Sequence, residues 1–236
     1  MTRPLDPARV LHRDDRVIAV DKPSGMVVHR GWANDAEPLL QAVRELVGAH
    51  VFPIHRLDRG ASGVVLFALD REAAAALGAV WSAGPGIDKR YLAICRGHPP
   101  EHIVLDHAIP SEPGAPRVPA VTELWRRESF GRYSLVEAAP RTGRSHQIRR
   151  HLKHLSCPII GDVKYGKGEH NRLWRSAHGL ERLALHATRL TFPHPSSGEA
   201  VVVTAPLPPE LAAALTSARA AHATPAAGSV ERAAEP

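Results

Sequence analysis

Cysteine is nearly absent from this chain: only Cys95 and Cys157 occur. They stand far apart and form no CxxC, which excludes a disulfide framework and a cysteine-based zinc site. Two free thiols fit a reducing compartment, so the expected location is the cytoplasm. Aromatic residues are also scarce, with four Trp, three Tyr and four Phe. No apolar run approaches the ~20 residues of a membrane-spanning helix. The opening MTRPLDPARV lacks the apolar core of a secretory signal. The expectation is a soluble protein, with no membrane role and no evident obligate protein partner.

Positive charge, by contrast, is plentiful and clustered. Lys and Arg number 30 against 24 Asp and Glu, a net +6, with 15 His besides. Residues 141–172 hold eight basic residues and only two acids, Asp162 and Glu169. That one segment therefore carries the excess of the whole chain. A clustered basic face is the electrostatic footprint of nucleic-acid binding. His146, His151 and His154 fall in the same segment at i, i+5 and i+8. This is not the i, i+4 pair of a zinc helix, and no metal site is expected.

The hydrophobic pattern predicts many short strands and few helices. Residues 17–20 and 26–29 read as strands around a Pro-Ser-Gly turn. Residues 37–47 have a helical stripe of Leu39, Leu40, Val43, Leu46 and Val47. Residues 70–81 form an Ala-rich helix capped by Asp70. Residues 88–95 read as a strand, 110–119 as a proline-rich loop, and 121–125 with 133–137 as a hairpin. Ser145 is placed to cap a helix reaching residue 155, with Ile148, Leu152 and Leu155 on one face. His146, Arg150 and Lys153 share another face. Strands over 183–192 and 201–204 and a short helix over 209–215 follow. The pattern implies an α+β fold, a mixed but mainly antiparallel sheet flanked by helices and loops, rather than alternating βαβ units. One catalytic domain is expected over residues 1–216, with a flexible Ala-rich tail over 217–236.

The chain is organised around residues 52–66, FPIHRLDRGASGVVL. Its apolar half reads as a buried strand, which puts the charged half at a strand end beside the core. Arg56 and Arg59 flank Asp58 and favour its ionised form. A fixed carboxylate among cations suits attack on an electron-poor carbon of an anionic substrate. The same residues also read as a structural ion pair.

Four further runs bear on that choice. HRLDRGASG resembles the HRLD signature of RluA-type pseudouridine synthases. VDKPSGMVVH, KRYLA and RTGRSHQIRRHL are similar to that family's other blocks, and PIIGD to its Pro-x-x-Gly-Asp turn. The set spans residues 17–204 in the family's order. The family usually has Thr where Ala61 stands, a departure that removes one hydroxyl near the site.

The resemblance implies a pseudouridine-synthase catalytic domain, without an S4-type RNA-binding domain. It implies Asp58 as the catalytic residue and Tyr91 as the ring that stacks on uracil and carries a proton. It implies an Arg of the third block as partner of Asp58, with Arg144 the first choice and Arg149 the second. Arg56 is available to fill the space a flipped base leaves. Arg59, Lys89, Arg149 and Arg150 are the expected substrate-binding cations. An isomerisation needs no redox or energy input, so no cofactor is implied. The runs VVHRGW, HQIRRHLKHL and GDVKYG look most like the branch of the family that acts on tRNA; a ribosomal RNA substrate is the nearest alternative. Outside the family, the alternatives are a non-catalytic RNA-binding module and a glycoside hydrolase. The latter needs a second carboxylate near Asp58.

Overall fold

The computed structural model describes residues 5–29, 38–111 and 114–222. The expectations at Glu37, at residues 30–32 of VVHRGW and beyond residue 222 lie outside them. The strands are β1 (Val10–Arg13), β2 (Val17–Lys22), β3 (Phe52–Pro53), β4 (Ser62–Ala68), β5 (Asp88–Arg96), β6 (His102–Asp106), β7 (Ile109–Pro110), β8 (Arg117–Val118), β9 (Val121–Phe130), β10 (Tyr133–Pro140), β11 (Leu185–Pro193) and β12 (Ala200–Thr204). The helices are α1 (Leu39–Val47), α2 (Arg71–Ala83), α3 (Gln147–His154), α4 (Gly168–His178) and α5 (Pro209–His222).

One mixed sheet runs in the order β1-β2-β4-β11-β5-β10-β9-β6, with β3 on β4 and β12 on β11. The pairings along it are antiparallel except β4 with β11, which run parallel through Ser62–His186 and Gly63–Ala187. The inner strands separate two apolar layers. On β2, Ile18 and Val20 join one core cluster while Val17 and Ala19 join the other. On β4, Val65 and Phe67 alternate with Val64, Leu66 and Ala68 in the same way. Every residue of β4 is buried, as a strand covered on both faces requires. Helix α2 covers one face through Ala73 and Leu77. Helices α1, α3, α4 and α5 contribute to the other.

Local signals explain most elements. The Asp70 carboxylate accepts the Ala73 N–H at 2.8 Å and caps α2, worth about 1 kcal/mol. Residues 26–29, expected as a strand, are not one. The Val27 and Val28 carbonyls instead accept the first N–H groups of α1, from Leu39 and Leu40, at 2.8 and 2.9 Å. The backbone that would have paired in a sheet caps a helix. Residue 217 does not begin a loose tail either. Helix α5 continues through Ser217 to His222, and buries Leu211, Ala214, Leu215 and Ala218 at helical spacing. Helix α4 was not foreseen, because its sequence GEHNRLWRSAH buries only His170 and Trp174. Among the described residues, no helix is long and apolar enough to cross a membrane.

Candidate active site

The cleft lies where β4, β5 and α3 meet. Asp58 stands four residues before β4, on the loop that brings the chain into the sheet centre. Tyr91 projects from β5 between Ala138 of β10 and Ala187 of β11, two small neighbours that leave its ring room. Helix α3 follows β10 and delivers Arg149. Gln147 fixes the start of that helix. Its side-chain oxygen accepts from the Thr142 hydroxyl at 2.7 Å and the Arg144 N–H at 3.0 Å, and its amide donates to the Val121 carbonyl and Thr122 hydroxyl at 2.9 Å. Ser145 is therefore not the cap. His146 occupies the N-cap position, in a left-handed conformation with φ 55°.

The resulting cleft has a volume of about 430 Å³. Asp58, Tyr91, Arg144, Arg56, Lys89 and Arg149 all line it. Arg59 and Arg150 are not among its lining residues. Arg59 donates to the Gly25 carbonyl at 3.1 Å, and Arg150 to the Tyr165 hydroxyl at 2.9 Å.

The partner of Asp58 is Arg149. Its Nη1 donates to Asp58 Oδ2 at 2.8 Å. Arg144, the first choice from the sequence, is exposed and donates to the Pro119 carbonyl at 3.1 Å. Arg144 precedes α3 at a turn, whereas Arg149 lies on the buried face of the helix, so of the two only Arg149 reaches Asp58. The flanking Arg56 and Arg59 do not hold the carboxylate either; Arg56 is exposed at the cleft.

Behind Arg149 stands Asp162. Its side chain has no exposure. It receives Arg149 Nε at 2.7 Å and Nη2 at 2.9 Å, a two-pronged contact, and also accepts the Lys164 and Tyr165 N–H groups at 2.9 Å. Burial disfavours its charge, but these donors outweigh burial and lower its pKa. Burial likewise opposes the charge on Arg149, yet bonds to Asp162 and Asp58 raise its pKa further. Asp162 thus locks a guanidinium that in turn aims at Asp58. The sequence signal was the Gly161-Asp162 turn. Gly161 has φ 76°, and a Cβ there would lie 1.9 Å from the Arg182 carbonyl oxygen, so only glycine lets the turn close.

Lys22 also escaped sequence reading. It is fully buried, and its Nζ donates to the carbonyls of Pro23 (2.9 Å), Met26 (2.7 Å) and Arg59 (3.3 Å). It ties the β2 turn to the loop that follows Asp58. Burial pulls its pKa down to about 7. The Tyr91 phenol is pushed the other way, by burial and then by the Asp58 charge, so it stays protonated at neutral pH. His55 stacks on Trp81 at 4.8 Å and accepts the Leu66 N–H; burial lowers its pKa to about 3.

The three histidines near α3 do not converge. His146 faces Asp58, His151 contacts Thr122 and the His107 carbonyl, and His154 stacks on His107. Among the described residues, Asp58 is the one carboxylate that lines the cleft. Asp162 is sealed behind Arg149, so it does not serve as the second acid of glycoside hydrolysis.

A family model described as RNA pseudouridylate synthase matches residues 16–154, which include Asp58, Tyr91 and Arg149. The chain belongs to the RNA pseudouridylate synthase family. It is 43% identical over 219 residues to tRNA pseudouridine synthase C of Haemophilus ducreyi, covering 83% of this chain and 89% of that protein. It is 40% identical over 231 residues to tRNA pseudouridine synthase C of Salmonella typhimurium, covering 88% of each. Among solved members of the family, human RNA pseudouridylate synthase domain containing 4 superposes with a TM-score of 0.75. The two are 28% identical, over 90% of this chain and 93% of that one.

Proposed function

We propose that this protein is a pseudouridine synthase that isomerises a specific uridine of tRNA in the cytoplasm, with Asp58 as the catalytic carboxylate. The observation that carries the reading is the arrangement in the cleft. An accessible carboxylate is held on one oxygen by a guanidinium that is itself anchored to a buried acid. The relatives named tRNA pseudouridine synthase C, matched over most of their length, support tRNA as the substrate.

The reaction breaks the N1–C1′ bond of uridine, turns the base and joins C5 to C1′. N1 gains a proton and C5 loses one, so no external group is consumed and no cofactor is called for. The target must leave its stack, at a cost of a few kcal/mol. Tyr91 offers a ring for the extruded base to stack on. Its phenol stays protonated at neutral pH, so it takes part as a ring and a hydrogen-bond donor, not as a resting proton acceptor. Arg56 is positioned to fill the space that the base vacates. Lys89 and Arg144 supply cations along the cleft for phosphates. Asp58, fixed by Arg149, acts at the sugar.

The test is pseudouridine mapping of unmodified tRNA and ribosomal RNA transcripts, each treated with the wild type and with Asp58→Ala. Product at a single tRNA position, at least about a thousandfold slower with Asp58→Ala while RNA affinity stays within about threefold, is the expected outcome. Wild-type turnover by Asp58→Ala refutes the assignment of the carboxylate. Product confined to ribosomal RNA refutes the tRNA substrate.

A further inference from the structure

His146 holds an uncomfortable backbone. It has φ 55° and ψ 28° at the head of α3, and its side chain makes no capping bond. A non-glycine residue there costs roughly 1 kcal/mol or more. The conformation sets the imidazole between two groups. Nδ1 lies 3.0 Å from the Tyr165 hydroxyl, and Nε2 lies 3.8 Å from Asp58 Oδ1. That oxygen is the one Arg149 leaves free, since Arg149 takes Oδ2.

Hydrogen-bond direction can be followed along this line. Arg150 Nε donates to the Tyr165 oxygen at 2.9 Å. A guanidinium has no acceptor, so the phenolic hydrogen of Tyr165 must point elsewhere, and among the described residues His146 Nδ1, at 3.0 Å, is the acceptor within reach. With Nδ1 accepting, a neutral imidazole carries its hydrogen on Nε2, facing Asp58. Burial lowers the His146 pKa, with the Asp58 charge opposing, which fits a neutral ring. Tyr165 is itself fixed: Asp162 accepts its N–H at 2.9 Å, and the Arg149 guanidinium sits 5.1 Å from its ring centre.

We infer that Tyr165 and His146 are positioning residues, a donor chain running from Arg150 through both side chains to the second oxygen of Asp58. The inference rests on the pseudouridine synthase reading. Asp162 then governs both contacts of the catalytic carboxylate, through Arg149 on Oδ2 and through the backbone of Tyr165 on Oδ1. At 3.8 Å the last link is longer than a hydrogen bond. It closes when substrate expels water, as catalytic hydrogen bonds do on forming the reactive complex. Holding both oxygens sets the carboxylate plane toward the sugar and moderates its basicity as its charge changes.

The experiment measures single-turnover pseudouridine formation on tRNA transcript at saturating enzyme, with RNA Kd and melting measured in parallel. Tyr165→Phe keeps the ring and removes only the hydroxyl. His146→Asn tolerates the left-handed backbone but is too short to reach Asp58. Each is expected to slow the single-turnover rate about tenfold with Kd within about threefold, and the double variant to be no slower than the worse single one. His146→Gln, which returns an N–H near the place of Nε2, is expected to recover part of the rate. An unchanged rate in either single variant, multiplicative losses in the double, or a loss confined to Kd overturns the chain. Wild type and Asp58→Ala are run alongside. Absence of product from wild type itself overturns the reading beneath the inference, and is distinct from a full rate in the variants.

Discussion

At the scale of the residue, Arg149 decides the site. It makes three contacts with two carboxylates, one in the cleft and one buried. No other basic side chain could do this, because a lysine is a point charge without a fork. Arg149→Lys is therefore expected to retain charge and lose geometry. Asp162, whose side chain has no exposure, would keep one donor fewer, and Asp58 would lose its anchor. Single-turnover assays should show pseudouridine formation falling at least about a hundredfold, and chemical unfolding a loss of about 3 kcal/mol. A variant with wild-type rate and stability would show that the fork is dispensable.

At the scale of the element, the joint between β4 and β11 carries the site. The two strands meet in parallel over two residues, directly after the Asp58 loop. Gly63, at φ 108°, has no room for a Cβ, which would lie 2.1 Å from the Ala187 carbonyl oxygen. Beside it Arg182 donates to the Ser62 hydroxyl at 2.6 Å, and Ser62 meets His186 Nδ1 at 2.7 Å. His186 is fully buried, and burial lowers its pKa from 6.5 to about 4. The joint therefore holds a neutral imidazole. Between pH 6.5 and 4 the unfolded chain binds a proton at this residue that the folded chain refuses. The stabilisation is complete above pH 6.5 and is lost as pH falls toward 4. For this residue the loss between pH 7 and pH 5 is about 2 kcal/mol. His186→Gln cannot titrate, so its urea-unfolding free energy should fall by about 2 kcal/mol less than that of wild type over the same interval. Equal falls in the two proteins would contradict the account.

At the scale of the whole molecule, the basic excess of residues 141–172 divides into two uses. Arg149 and Arg150 are committed to Asp58, Asp162 and Tyr165, and Arg141 pairs with Glu123 at 2.9 Å. Arg144, Lys153, Lys164, Lys167 and Arg172 are exposed. If four of these meet phosphates, the slope of log affinity against log salt should be about −3. Titrations of RNA binding between 50 and 200 mM salt, about a sixtyfold change at that slope, would measure it. A slope near zero would mean that these cations stay clear of the RNA.

The sequence by itself determined most of the elements and the chemistry-bearing stretch. The apolar run after HRLD is a buried central strand because five of the seven residues in SGVVLFA carry apolar side chains that point to both faces. The 121–137 hairpin, the Asp70 cap and the α3 stripe were legible for the same reason, since they depend on neighbours a few residues apart. Partners across the chain were not. Asp58 and Arg149 are 91 residues apart, and whether Arg144 or Arg149 reaches the carboxylate depends on where α3 starts, which Gln147 fixes against β9. Asp162 and Lys22 stand in family-like blocks of the sequence, but only the turn at Gly161 and the closure of β2 on β4 bury them and set their partners. The chain names a carboxylate; closure of the sheet decides what holds it, because that contact exists only once distant strands have met.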